Sequence, residues 1–234
     1  MSAAASQALV DAVGSATNPS EQLYLVAIHY LSQVIELLRT TVTTDEQLQH
    51  TSKLSSGSTI GKHLRHLHDH YRLLLDSLSS SAAAAAPSSS ELRVNYDVRQ
   101  RDGSAESSHA AALESFVALR ARLERETDQG RAVDPARPVR LEAVTPVVVE
   151  VGTTWARELW FASFHAGAHR SLLCFSCGVQ AGRAQLTRVG VSAVEQSITL
   201  RSFVGELGLD VPPDFGVAPS TLVHRAQECP PTKL

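Results

Sequence analysis

Two groups of histidines are spaced for shared work on a metal ion. His165 and His169, in Trp160-Phe-Ala-Ser-Phe-His-Ala-Gly-Ala-His169, are four residues apart. On a helix that spacing stacks them one turn above each other with Cβ atoms about 5–6 Å apart, so both rings reach one ion. Far upstream, Ser58-Thr-Ile-Gly-Lys-His-Leu-Arg-His-Leu-His-Asp-His70 carries His63, His66 and His70. An advance of about 100° per residue places these three on one helical stripe with Leu67 and Leu74, while His68 falls on the opposite side with Arg65 and Arg72, where it is expected in solvent. If the two stripes face each other, they form a three-histidine site with coordination positions left open. That is the arrangement of a catalytic metal rather than of a sealed structural one. The spacing does not say which residue of the first group is the ligand, since His63 and His70 serve as well as partners that orient a ligand ring through its other nitrogen. A lone helical histidine is usually an ordinary hydrogen-bonded residue, and His29, His50, His109 and His224 are read that way. Two groups on apolar stripes are what favours the metal.

Glu158 lies two turns before His165 on the same side of its helix. It is a candidate to accept a hydrogen bond from a ligand ring or to act as a base on metal-bound water; an ion pair with Arg157 is the competing reading. The three cysteines, an odd number, do not form a disulfide framework. Cys174 and Cys177 close a helix instead of opening one, so they are read as structural.

The elements that must position these residues follow from periodicity and caps. A helix starts at Pro19-Ser20-Glu21 and keeps its period through Leu23, Val26, Ala27, Tyr30, Val34, Leu37 and Leu38 to Arg39. Ser58 or Thr59 caps a second helix that carries the first histidine group to Leu78. Residues 79–90 are a low-complexity insertion of Ser, Ala and Pro without apolar residues to bury, expected to be flexible and dispensable. A third helix spans Ala105 to Thr127. Val139–Val144 and Val147–Val151, broken at Thr145-Pro146, read as a small hairpin. Thr153 or Thr154 caps a fourth helix running from Trp155 to Cys177, with Trp155, Trp160, Phe161 and Phe164 expected mostly in the core. These elements predict a mainly α fold: an antiparallel four-helix bundle with a small β-hairpin before the last long helix. Residues 19–222 make one domain, with a flexible N-terminus at 1–18, an atypical insertion at about 174–196 and a flexible tail at 223–234.

Composition narrows the function. Hydrophobic residues are 43% and charged residues 19% of the 234, which suits a globular chain with a core. A net charge of −3 with no basic patch argues against nucleic acid as a partner. No apolar run approaches the roughly 18 residues of a membrane span, and the N-terminus lacks a secretory pattern, so no membrane is expected and the location is read as cytoplasmic.

Four segments in this order resemble the DinB/YfiT-like family of metal-binding proteins, and within it the stand-alone bacterial branch: Ser58 to Tyr71, Asn95-Tyr-Asp-Val-Arg-Gln-Arg-Asp102, Arg157 to His169, and Phe215-Gly-Val-Ala-Pro-Ser-Thr-Leu222. The resemblance implies a DinB-like four-helix bundle. It also implies a divalent metal, zinc, nickel or iron, at His66, His165 and His169, with His63 and His70 in an outer shell or as alternative ligands. Relatives of this fold include metal-dependent thiol transferases and isomerases, so the resemblance implies a hydrolase or thiol transferase acting on a small molecule, a low-molecular-weight thiol among the candidates. Arg99 and Arg101 are candidates to fix an anionic substrate group, because a guanidinium fork pairs with carboxylate or phosphate. The alternative is a non-catalytic metal- or ligand-binding bundle or a dimerisation module whose partner is a second copy. Two departures bear on this: Ala168 stands where the branch often has a histidine, and the insertion at 174–196 separates the histidine pair from Gly205-Glu-Leu-Gly-Leu-Asp-Val-Pro212.

Overall fold

The protein is described by a computed structural model that covers residues 11–16, 18–53, 57–79, 90–98, 103–128, 132–144, 147–167, 200, 203–211 and 215, with the side chains of 165–167 not described. The expectations placed on residues 1–10, 80–89, 174–196 and 223–234, on Arg99, Arg101 and His169, and on the cysteine pair lie outside these residues.

Helix α1 (Pro19–Thr40) starts where the proline predicts. The Asn18 side chain accepts from the Ser20 amide at 2.9 Å, and the Ser20 hydroxyl donates to the Val133 carbonyl at 2.9 Å. Tyr24, Ala27, Leu31, Leu37 and Leu38 are fully buried along it. A short helix α2 (Asp45–Gln49) opens with a capping box between Thr44 and Gln47, in which each side chain accepts from the other's backbone. Helix α3 (Ile60–Ser79) carries the first histidine group, and Thr59 caps it by accepting from the Lys62 amide at 3.1 Å. A strand β1 (Leu92–Val94) and a 3-10 turn (Ser104–Glu106) lead into helix α4 (His109–Asp128), whose first amide donates to Asp45 of α2 at 2.7 Å. Strands β2 (Pro138–Ala143) and β3 (Val149–Thr154) follow, and β3 passes directly into helix α5, which begins at Trp155 and is described to Gly167. The amides of Trp155 and Ala156 donate to the carbonyls of Arg137 and Pro135, so the start of α5 is tied to the entrance of β2.

A plain antiparallel four-helix bundle with a hairpin is not what these elements make. Helices dominate, but β1, β2 and β3 form a three-stranded mixed sheet in that order. β2 and β3 are antiparallel, Pro138 opposite Thr154 and Ala143 opposite Val149, which is the expected hairpin shifted by a few residues. β1 joins β2 in parallel, with Leu92 opposite Val139 and Val94 opposite Leu141. Parallel strands need a crossover, and α4 supplies it. Leu92 and Val94 are buried around an exposed Arg93, so the backbone between them needs ladder partners, and the outer edge of β2 provides them. Three alternating residues after a polar tract are too few for periodicity to reveal.

Helix α1 packs on α4 and α5, and α3 packs on the same two helices. That arrangement corrects one expectation: His68 is half-buried. The phase of the histidine stripe is right, but the opposite face of α3 is covered by α4, where the His68 ring meets Phe116 edge-on at 5.5 Å and burial lowers its pKa below the usual imidazole value. On α5, Trp155 is buried, but Trp160 and Phe164 are 46% and 42% exposed, because Trp155, Leu159 and Ala162 already occupy the inward face. No helix among the described residues is long and apolar enough to cross a membrane.

Two expectations follow from this packing. A Cβ at Gly61 would collide with the Glu106 backbone carbonyl of the 3-10 turn, whereas one at Gly205 meets nothing within 4 Å. Gly61→Ala should therefore cost about 1–3 kcal/mol in chemical denaturation, and Gly205→Ala should be neutral or stabilising. The second concerns the four tyrosines. Burial pushes the Tyr24 hydroxyl up to about 12 and raises those of Tyr30, Tyr71 and Tyr96 above the ordinary value, so the folded chain holds these protons more tightly than the unfolded one. Their contribution is fully present below the unfolded pKa of about 10 and is lost as pH rises through the folded values. Unfolding free energy should fall steeply above pH ~10, with phenolate absorbance appearing only as the chain unfolds.

Candidate functional site

The centre of the site is a carboxylate with no contact with water. Glu158, in the first turn of α5, is 0% exposed. A buried carboxylate is tolerated only when donors replace its hydration. Among the described residues three do so, each from a different piece of chain. Tyr96, just beyond β1, donates its hydroxyl to Oε2 at 3.0 Å; Thr153 of β3 donates to Oε1 at 2.9 Å; Arg157 donates to Oε1 at 2.7 Å. The Arg157 guanidinium also lies 5.0 Å from the centre of the Phe161 ring. The ion pair with Arg157 that the sequence offered as one reading of Glu158 is thus present.

Beyond Tyr96 stand the α3 histidines. The Tyr96 and His70 rings are 4.8 Å apart between centroids, and burial, followed by the charge on Glu158, raises the Tyr96 pKa well above the usual value. His70 is 7% exposed and is met from two further sides, by His66 at 4.7 Å and by Phe161 of α5 at 5.9 Å. The Nε2 atoms of His66 and His70 are 3.4 Å apart. They are neighbours for the reason that the sequence anticipated, a spacing of four on one helix face. His63 belongs to a different environment: its Nε2 is 2.7 Å from the Ser58 hydroxyl, and its ring packs edge-on against Phe203 at 5.2 Å.

His66, His70, Tyr96, Phe161 and Glu158 are therefore brought together. His165 lies on α5 one turn after Phe161, and its side chain, like the whole of His169, Arg99 and Arg101, is outside the described residues. Among the described residues, no three His, Cys, Asp or Glu side chains group closely enough to hold a metal.

Sequence reasoning missed Tyr96 and Thr153 as parts of this site. A signal for Tyr96 was present in Asn95-Tyr96-Asp97, a turn sequence: the Asn95 side chain accepts from the Asp97 amide at 2.9 Å, and Asp97 accepts from the Val144 amide at 2.7 Å, pinning the turn to the end of β2. Nothing local marked Thr153 as a partner of Glu158.

Cavities among the described residues lie elsewhere. One of about 550 Å³ is lined by Gln49, Thr59, Lys62 and Glu106, and one of about 690 Å³ by Glu21, Ile28, Glu124 and Thr127.

No family model matches the chain, and no solved structure matches it. It is similar to FK506-binding protein 5 of Rhizopus delemar, 25% identical over 198 residues that cover 85% of this chain and 37% of that protein. The chain thus spans little more than a third of the length of this curated relative.

The Glu158 cluster makes a direct prediction. Thr153→Val keeps the shape of the side chain and removes one donor from a buried carboxylate, and should cost about 1–3 kcal/mol by urea denaturation. An unchanged midpoint would mean that Arg157 and Tyr96 satisfy the carboxylate alone.

Proposed function

We propose that this chain binds a divalent metal, zinc, nickel or iron, through His66, His165 and His169, in the manner of the DinB/YfiT-like proteins that its motifs resemble, and acts on a small molecule as a hydrolase or thiol transferase in the cytoplasm. The observation that carries the reading is the 3.4 Å between the Nε2 atoms of His66 and His70. Two nitrogens each about 2.0–2.1 Å from one tetrahedral ion stand about 3.3–3.4 Å apart, so the separation of this pair, a hydrogen-bond distance between the two rings, is also compatible with common ligation. His70 of the pair meets Phe161, one turn before His165, which supports the approach of the second histidine group to the first. His70 accordingly becomes a ligand or the immediate neighbour of one, whereas the partners of His63, Ser58 and Phe203, favour a supporting role for it.

A metal so held would lower the pKa of a bound water or thiol and polarise an electrophile. The described residues contribute a wall and an anchor. Tyr96 and Phe161 enclose His70, while Glu158 commits its oxygens to Tyr96, Thr153 and Arg157 and so serves better as a positioning group than as a base. Arg99 and Arg101 remain the proposed anion-fixing residues.

That commitment of Glu158 favours a second reading, a non-catalytic metal- or ligand-binding module or a dimerisation module. The similarity to a protein named for FK506 binding fits a ligand-binding role, over little more than a third of that protein.

Elemental analysis of the purified chain, followed by thiol and ester substrates with and without chelator, separates the two readings. Metal with chelator-sensitive turnover supports the enzyme, and metal without turnover supports the module. His165→Ala should stay folded yet lose most of its metal, since the described residues have an apolar core of their own. His68→Ala should lose stability through its contact with Phe116 and keep its metal. Full metal content in the His165 variant would overturn the ligand assignment.

A further inference from the structure

We infer that Tyr96 is a positioning residue that, anchored by Glu158, holds the His70 imidazole in one orientation toward His66. The geometry stands by itself; its consequence for metal binding rests on the reading above.

Among the described residues three rings pack on His70, and one of them, Tyr96, is fastened at both ends. At its base, the backbone turn is pinned through Asn95 to the Asp97 amide and through Asp97 to the Val144 amide, with β1 laddered to β2 immediately before it. At its tip, the hydroxyl donates to Glu158 Oε2 at 3.0 Å, and Glu158 has two further donors that fix its own plane. A tyrosine has two main side-chain torsions, and a tether at each end removes both. Its ring therefore presents a fixed surface, 4.8 Å from the His70 centroid at 44°. Phe161 at 73° and His66 at 78° also pack on the His70 ring. A histidine held this way has its Nε2 kept on His66 before any ion arrives. Groups that orient ligand rings are worth about 10–100-fold in metal affinity.

The alternative is a tyrosine that merely fills space and satisfies its hydroxyl on the nearest carboxylate. The two differ in what happens to His70 when the tether is cut and the ring is kept. In the full chain, metal-free and with nitrogen-15 histidine, the ring nitrogens of His70 should report one tautomer. Tyr96→Phe, which removes the donor and keeps the ring, should shift or broaden those signals into an average. Tyr24→Phe, at a buried tyrosine on α1, should leave the His70 signals in place. A Tyr96→Phe spectrum superposable on the parent at His70 overturns the inference. Titration with cobalt(II) reads the consequence: affinity should fall about 10–100-fold in Tyr96→Phe and stay constant in Tyr24→Phe. If the parent takes up no cobalt, the metal reading fails, while the histidine spectra still decide the role of Tyr96.

Discussion

A carboxylate buried without water has to be surrounded by donors, and meeting that need at Glu158 organises this protein. Among the described residues its donors come from the turn after β1, from the last residues of β3 and from the neighbouring position on α5. The sheet and the helix that follows it are thereby joined around one charge. In a medium of low polarity each of these hydrogen bonds is stronger than in water, and each becomes costly to lose. That is a constraint on geometry more than a source of stability: a buried charge is weak evidence for net stabilisation but strong evidence that its surroundings are specified.

The histidine pair of α3 inherits its position from this arrangement. Tyr96 reaches Glu158 with its hydroxyl and His70 with its ring, so the polar cluster under the sheet and the aromatic cluster on α3 are one connected unit. Helix α3 itself is covered on two sides, by α5 near the histidine pair and by α4 near His68 and Phe116. The same helix thus supplies a site on one face and ordinary packing on the other. A second polar clasp fastens the 203–206 turn of helix to the loop after α2: Glu206 accepts from the Ser52 hydroxyl at 2.9 Å and from the Lys53 amide at 3.0 Å, with the His50 ring 3.3 Å away. Phe203 in that segment packs edge-on against His63.

The sequence by itself marked the four long helices and the histidine stripe, because both rest on neighbours three and four residues apart, while the short α2 was not among them. Pro19 and Asn18 begin α1, Thr59 begins α3, Thr154 precedes α5, and His66 stands beside His70, all from local spacing and capping. Tertiary structure alone decided what depended on partners distant in the chain. β1 exists as a strand because β2 offers it an edge more than forty residues later, a pairing that three alternating residues cannot announce. Tyr96 and Thr153 meet at Glu158 because that pairing and the hairpin bring them there. His68 is half-buried and Trp160 exposed for the same reason, since a helical wheel gives the phase of a face but not which neighbour covers it.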